Sequence, residues 1–204
     1  EYFRNTDPYQ HPVVIHTFTG DYVEVYRPLL QDNSYYVGAS FQAPPSSVHG
    51  LTLDWVQESA QSNQKWIIAN DEQGSAQVGV APDADDPDHD SIRTNVLWGN
   101  IMAGGGGVEY YFGFGGDNSD LTCEDYRSRA NMYVQTRHAL EFFYANVPFQ
   151  EMTNADNRID SSEKAWCLVQ SNGGSTIVVF LFDGSDGETT IDLEDLAPAT
   201  YSIK

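Results

Sequence analysis

The sequence predicts an α/β protein that is followed by a small all-β module. Four strand-like runs alternate with helix-like stretches over residues 1–147, whereas residues 148–204 hold strand-like runs with no helix between them. Strict alternation predicts a parallel sheet, because parallel strands need crossover connections and helices fill that role. Strand-like runs separated by tight turns instead predict an antiparallel meander.

Composition disfavours several classes of partner. The 204 residues include 30 acidic and 10 basic side chains, for a formal net charge of −20. A protein that neutralises phosphates needs a cationic face, so nucleic acid and anionic membranes are disfavoured as partners. No run approaches the roughly 20 apolar residues of a membrane span. An excess of acid with few lysines is typical of salty or extracellular surroundings.

The four predicted units follow from apolar periodicity. Short apolar runs with β-branched residues are typical of strands that are covered on both faces. The predicted strands cover residues 11–17, 36–42, 65–70 and 108–112. The predicted helices cover residues 21–31, 50–62, 91–103 and 124–146. The inner faces of the second and last helices are predicted to contain Leu51, Trp55, Val56, Tyr126, Tyr133, Leu140 and Phe143.

The module after residue 147 is predicted to be the start of a β-sandwich. Its strand-like runs cover residues 166–170, 176–182, 189–193 and 201–203. These are too few strands for a complete sandwich, so we expect the sandwich to be incomplete.

The glycines argue against a nucleotide-binding sheet. The residues after the first strand, Thr17–Gly20, lack the GxGxxG pattern, and Gly104–Gly107 precede a strand instead of following one. A better fit is the second half of a (β/α)8 barrel, which has about 250 residues when whole. An open half would expose two sheet edges, so we expect either a missing half or two copies that pair.

Several segments resemble a known family. They are His11–Thr17, Trp66–Gln73, Pro82–Pro87, Leu97–Gly104 and Asp120–Arg129. Together they resemble the carboxyl-terminal half of bacterial glycoside-hydrolase-like (β/α)8 barrels. From about Lys164, the chain resembles the small β-sandwich that follows such barrels and carries the family label of a collagen-binding domain.

The resemblance implies that residues 1–147 supply barrel strands five to eight. Glu72 then stands where the nucleophile ends the seventh strand, and the acid/base carboxylate belongs to the fourth strand, in the missing half. The implied protein is a secreted or periplasmic glycoside hydrolase that cleaves a polysaccharide or oligosaccharide. Its implied partners are the carbohydrate substrate and the other half of the barrel, from the same longer chain or from a second one.

Glu72 is the catalytic candidate on chemical grounds as well. It follows the buried run Trp66–Ala69, and a barrel places its active site at the carboxyl ends of its strands. Double displacement needs one carboxylate that attacks the anomeric carbon and another, about 5 Å away, that protonates the leaving oxygen. The alternative is that Asp71 and Glu72 only cap the loop that follows.

The remaining candidates are expected to bind substrate. Asp71 adjoins Glu72, and Gln42 ends the second strand. His16 ends the first strand, where it would hydrogen-bond a sugar hydroxyl or the nucleophile; the alternative is a core histidine.

Residues of the last strand depend on its register. Alternation sends Glu109 and Tyr111 to one face and Tyr110 and Phe112 to the other. Inside the barrel, Glu109 would be a second acid near Glu72, and Tyr111 could stack on a sugar. Outside it, Glu109 would form an ion pair with an arginine such as Arg129.

No metal and no cofactor is predicted. Residues 82–90 contain five aspartates, but their spacing is not that of an EF-hand. A solvated acidic loop is favoured, with calcium binding as the alternative. Cys123 and Cys167 lack the spacing of a zinc site or a disulfide framework.

A second hypothesis is a binding scaffold without catalysis. In this interpretation, the sandwich attaches the barrel to polysaccharide or collagen. The module has no obvious row of aromatic residues, which counts against strong carbohydrate binding.

Overall fold

The computed structural model describes residues 2–31, 34–62, 64–122, 126–160, 165–171, 175–182, 187–194 and 202. Its helices are α1 (Tyr2–Thr6), α2 (Tyr22–Gln31), α3 (Val48–Ala60), α4 (Gly99–Met102) and α5 (Ala130–Asn146). Its strands are β1 (Val14–Thr17), β2 (Gly38–Ala43), β3 (Ile67–Gln73), β4 (Gly107–Val108), β5 (Met152–Asn154), β6 (Ala165–Gln170) and β7 (Ile177–Leu181). A π-helical stretch, Ile92–Trp98, leads into α4, and a 3₁₀ turn, Tyr126–Arg129, leads into α5. Within these ranges, no helix is long and apolar enough to cross a membrane.

Two separate sheets make up the fold. Strands β1 to β4 form a parallel sheet in the order in which they occur in the chain, and β5 to β7 form an antiparallel sheet. The predicted α/β class, with a parallel sheet before an antiparallel one, is therefore confirmed. Crossovers of the usual right hand between successive neighbours bring all connecting helices to one face of the sheet.

The main core lies between that face and the helices. Ala39 and Phe41 of β2 and Ile68 of β3 are buried there. They belong to one apolar cluster with Tyr26 of α2 and Trp55 of α3. The predicted inner residues of α3 lie in or against the same cluster, since Leu51 and Val56 pack on it and Trp55 belongs to it.

The opposite face of the parallel sheet stays open. Val14 of β1 is in register with Gly38 of β2, which is in register with Ile67 of β3. The three residues therefore lie on the same face of the sheet. Val14 is 48% exposed and Ile67 is 53% exposed. In the described ranges, therefore, no layer covers these residues, although parallel sheets are normally covered on both faces.

Strand β4 is shorter than the sequence predicted. The predicted run 108–112 gives a strand of only two residues, Gly107–Val108. Beyond it, the side chain of Gln73 takes the place of a strand backbone. Its Nε2 donates to the Glu109 carbonyl at 2.6 Å, and the Tyr111 amide donates to its Oε1 at 3.1 Å. The backbone groups are thus satisfied while the chain leaves the sheet.

Helix α5 buries a different face from the predicted one. Phe143 is buried as predicted, but Tyr126, Tyr133 and Leu140 are exposed, so the prediction was wrong for these three. The buried residues of α5 are Met132, Ala139 and Phe143. The methyl group of Ala139 lets the helix approach closely, and tyrosines tolerate water because their hydroxyls bind it.

The antiparallel sheet matches the predicted meander in part. Runs 166–170 and 176–182 form β6 and β7, whereas β5 was not predicted. Run 189–193 contributes only an isolated bridge between Ile159 and Ile191. Of run 201–203, all but residue 202 lies outside the described residues.

A hydrophobic cluster joins the two sheets. Leu97, Met102 and Phe143 from the helices pack with Trp166 and Leu168 of β6. The predicted domain boundary near residue 148 thus lies beside a continuous core.

His49 adds polar contacts at this junction. Its Nδ1 lies 2.9 Å from the Gly99 carbonyl oxygen, and its Nε2 lies 2.7 Å from Oδ2 of Asp156. Its ring stacks on Trp166 with the centroids 4.1 Å apart. His49 therefore ties the start of α3 to the antiparallel sheet.

Candidate functional site

A β-bulge brings two carboxylates to the carboxyl edge of the parallel sheet. Phe41 pairs with Asn70, but the next pair is Gln42 with Glu72, so Asp71 is an extra residue in β3. Gln42 shares the open face with Gly38 because side chains alternate along a strand, and Glu72 is its partner on that face. The bulge thus directs Glu72 toward the open side at the last residues of the strand, and not after its end as the sequence predicted.

His16 reaches Asp71 across the edge. Its Nδ1 lies 3.1 Å and 3.0 Å from the two carboxylate oxygens of Asp71. The side chain of His16 is 41% exposed, so it is not a core histidine. With Nδ1 on the carboxylate, the ring holds a fixed orientation, and its Nε2 has no partner within the described residues.

The Glu72 carboxylate has no hydrogen-bonding or ionic partner within the described residues, and the residue is half-buried. Burial, with the added negative charges of Asp71 and Glu72, raises the pKa of Tyr22. Burial and the charges of Glu72 and Asp120 likewise raise the pKa of Tyr111. The Glu72 charge therefore acts on both phenols, and its carboxylate oxygens stay available to a ligand.

The loop after β1 and the first residue of α2 stabilise the end of β2. The hydroxyls of Tyr22 and Thr19 both donate to the backbone carbonyl of Gln42, the second over 3.3 Å. These bonds fix the end of β2, and the half-buried side chain of Gln42 is left facing the open side.

Two buried amides that sequence analysis missed hold the edge from below. Asn70 Nδ2 donates to the Phe41 carbonyl at 2.7 Å, and Gln73 Nε2 donates to Asn70 Oδ1 at 2.8 Å. Gln73 also binds the backbone of Glu109 and Tyr111. A sequence signal for them does exist. They are two amide side chains, three residues apart, in a buried strand where apolar side chains are expected.

The predicted alternation after β4 is confirmed. Tyr110 packs against the main core, with its hydroxyl 2.8 Å from Thr136 Oγ1, and Phe112 is buried. Glu109 is exposed, and the Tyr111 hydroxyl donates to the Ala76 carbonyl at 2.6 Å. Glu109 and Tyr111 thus lie away from the helices, beside the end of β3.

Arg129, proposed as a partner for Glu109, has a structural position. It is fully buried, and its Nε and Nη2 donate to the Val80 carbonyl at 3.1 and 2.9 Å. Its Nη1 donates to the Asn118 carbonyl at 2.6 Å, and its guanidinium lies 4.3 Å from the Phe112 ring centre. The side chain therefore joins the segment after β3 to the segment after β4.

Among the described residues, neither the carboxyl edge nor Cys167 forms a metal centre. Across the described ranges, no group of three or more His, Cys, Asp or Glu side chains has metal-binding geometry. Cys167 is a buried free thiol, and burial raises its pKa to about 11, which keeps it protonated. Cys123 lies outside the described residues.

The chain was compared with protein-family models, with curated protein sequences and with solved structures, and none of the three comparisons gives a match. Function therefore has to follow from the chemistry of the carboxyl edge.

Proposed function

We propose that this chain is the carboxyl-terminal half of a (β/α)8 barrel with the start of a β-sandwich, and that it carries the nucleophile of a secreted glycoside hydrolase. The strand order supports the barrel. Successive strands are neighbours throughout, with no reversal of order and therefore no switch point of the doubly wound kind. The open sheet face supports a partner that supplies the other strands, in a longer chain or in a second copy.

The observation that carries the proposal is the position of Glu72. Its carboxylate lies on the open face at the carboxyl edge, beside Gln42, and lacks any partner in the described residues. Half-buried carboxylates are normally paired or hydrogen-bonded. An unpaired carboxylate at this edge supports a role in attack on a carbon that develops positive charge.

The chemistry follows the two-carboxylate scheme. A Glu72 oxygen attacks the anomeric carbon while the glycosidic oxygen leaves, and a water then displaces the carboxylate from the sugar. The leaving oxygen takes its proton from an acid on the missing strands, with Glu109 as the alternative within this chain. The substrate is a polysaccharide or an oligosaccharide.

Asp71 and His16 have positioning roles in this scheme. The Asp71 carboxylate fixes the imidazole through Nδ1, so Nε2 can bind a sugar hydroxyl. Gln42 and Tyr111 extend the same surface, one with an amide and one with an aromatic face.

An activated glycoside tests the nucleophile in the 204-residue chain itself. A 2,4-dinitrophenolate leaves without a proton, so the missing acid is not needed. With a panel of dinitrophenyl glycosides, the Glu72→Gln variant should lose turnover by about 10⁴-fold or more. Azide added to Glu72→Ala should restore turnover and yield a glycosyl azide.

The matched control is Glu24→Gln, which makes the same change at an exposed position of α2. It should react like the wild type. Full activity in Glu72→Gln, or no reaction of the wild type with any member of the panel, contradicts the proposal.

A further inference from the structure

The acidic loop, residues 82–90, is fastened to α5. The Asp83 amide donates to the Ser128 carbonyl at 2.8 Å. From α5, the side chain of Asn131 donates to the Pro87 carbonyl at 3.0 Å, and that of Gln135 donates to the Asp88 carbonyl at 2.7 Å. The loop therefore has a defined shape, while Asp85, Asp88 and Asp90 on it are exposed to water, as the sequence favoured.

His89 forms the centre of this loop. Its side chain is completely buried, and its Nε2 lies 2.7 Å from Oδ1 of Asp83. The other oxygen of Asp83 accepts the Asn131 amide at 3.0 Å. The His89 amide lies 3.2 Å from Oδ1 of Asp86. When Nε2 donates its proton to Asp83, Nδ1 presents a lone pair.

Two buried atoms at this loop have no hydrogen-bond partner. In the described part of the chain, the buried side-chain nitrogen and oxygen atoms without a partner are His89 Nδ1 and Gln135 Oε1. Gln135 binds the carbonyl of the residue before His89, so both atoms belong to the same loop–helix contact. In the tautomer with the proton on Nε2, both atoms are acceptors, and a buried acceptor without a donor or a cation is unfavourable.

We propose that the acidic loop binds a divalent first-row transition ion such as Zn²⁺ through His89 Nδ1 and the free carboxylate oxygen of Asp86. Asp86 Oδ2 lies 3.9 Å from Nδ1 and faces it. With ligand bonds of about 2.0–2.1 Å, an ion between these two atoms would have an N–metal–O angle well above the tetrahedral value. The Asp86 side chain therefore rotates toward Nδ1 when the ion binds. The Asp86 side chain is 44% exposed, which gives both room for rotation and a route of entry.

The donor set decides the class of ion. Imidazole nitrogen suits Zn²⁺ and its neighbours, whereas Ca²⁺ and Mg²⁺ take oxygen ligands. A ligating histidine usually donates a hydrogen bond from its other ring nitrogen to a carboxylate. Asp83 is that carboxylate for His89 Nε2. With two protein ligands, water completes the coordination, so the site is weak compared with a centre of three or four protein ligands.

The ion fixes the segment that follows β3. Val80 lies two residues before the loop, and its amide donates to the Tyr111 carbonyl at 2.7 Å. A bound ion therefore fastens the loop to α5 at one end and stiffens the backbone beside Tyr111 at the other. This role does not depend on the proposed glycoside chemistry.

Nitrogen-detected NMR of ¹⁵N-histidine-labelled protein tests the site directly. ZnCl₂ is titrated in excess CaCl₂, which occupies general acidic sites on this surface. The chain has five histidines, and the Nδ1 signal that disappears in His89→Gln is assigned to His89. We expect this signal to shift on saturation with Zn²⁺.

The variants Asp86→Asn and Asp85→Asn form a matched pair on the same loop. We expect Asp86→Asn to weaken Zn²⁺ binding at His89 about 10-fold or more. Asp85→Asn, at an exposed position, should leave it unchanged. An unmoved His89 signal, or equal binding in the two variants, overturns the proposal. If His89→Gln does not fold, the signal is assigned by through-bond correlation and the Asp86 pair still decides.

Discussion

At the scale of single residues, buried polar side chains shape the carboxyl edge. Gln73 is fully buried, and its amide joins β3 to the segment after β4 at Glu109 and Tyr111. Each of its bonds replaces a backbone contact that an ordinary strand would make. The edge can therefore bend outward without leaving buried groups unsatisfied.

Replacing Gln73 should cost more than replacing an exposed glutamine. Gln73→Met keeps the volume but removes the hydrogen-bond partner of the Glu109 carbonyl, the Tyr111 amide and Asn70 Oδ1. We expect a loss of about 2–4 kcal/mol in the free energy of unfolding, measured in urea. Gln77→Met, at an exposed position, is the control and should change little. Equal losses would show that the amide network adds nothing.

The Tyr110 hydroxyl should lower the free energy of unfolding at alkaline pH. Burial raises its pKa from 10.0 to about 12. Below pH 10 both folded and unfolded chains keep the proton. Between pH 10 and 12 only the unfolded chain loses it, so stability falls by about 1.4 kcal/mol per pH unit.

The variant Tyr110→Phe lacks this titration. In urea unfolding from pH 9 to pH 12, the free energy of unfolding of the wild type should therefore fall more steeply than that of the variant. Parallel curves would contradict the burial of this hydroxyl.

At the scale of elements, the junction between α3 and the antiparallel sheet is the most informative contact. His49 binds Gly99 and Asp156 through its two nitrogens and stacks on Trp166. Asp156 also accepts the Cys167 amide at 2.7 Å. One side chain from the parallel half thus fixes two elements of the other half.

The variant His49→Ala should loosen this junction. We expect a loss of about 2–4 kcal/mol, because two hydrogen bonds and a ring stack disappear together. Hydrogen exchange should accelerate in β6. His138→Ala, at an exposed position of α5, is the control and should preserve exchange rates. Unchanged exchange in His49→Ala would mean that the hydrophobic cluster alone holds the two sheets.

Elements also show what the sequence could predict. The first three strands and their helices were predictable because short apolar runs alternate with amphipathic stretches. Hydrophobic periodicity of this kind is the main sequence signal for secondary structure. The edge residues His16, Gln42, Asp71 and Glu72 followed from that pattern, since the ends of parallel strands meet. The bulge at Asp71 was not predictable, because it depends on pairing with β2.

Other misses have a similar cause. The length of β4 depends on Gln73, a residue 34 positions before the start of that strand. The buried face of α5 depends on which of its side chains fit against the neighbouring loops. Tyrosine is compatible with either a core or a surface position, so its presence does not predict the buried face. His89 was seen only as part of an acidic loop, because its burial follows from contacts with α5.

At the scale of the whole molecule, the open sheet face calls for a covering layer. Val14 and Ile67 form an exposed apolar pair, and a parallel sheet with one bare face is unusual. Association of two copies through these faces would cover both. The net charge of −20 opposes this, so salt should promote association by screening.

We expect the isolated chain to associate in a salt-dependent manner. Native mass spectrometry beside light scattering should detect species of twice 22.7 kDa or more at moderate salt. Val14→Lys, which puts a charge on the open face, should shift the balance to monomers without unfolding the chain. A wild type that is monomeric and folded at every salt concentration would contradict the need for a partner layer.

Covalent trapping tests whether Glu72 attacks a sugar. A 2-deoxy-2-fluoro glycoside with a dinitrophenolate leaving group forms the glycosyl ester and slows its hydrolysis. Intact-mass measurement followed by peptide mapping should find one added fluoroglycosyl group on the peptide that contains Glu72, and none in Glu72→Gln. A label on another carboxylate, or no label with any sugar of the panel, would contradict the account.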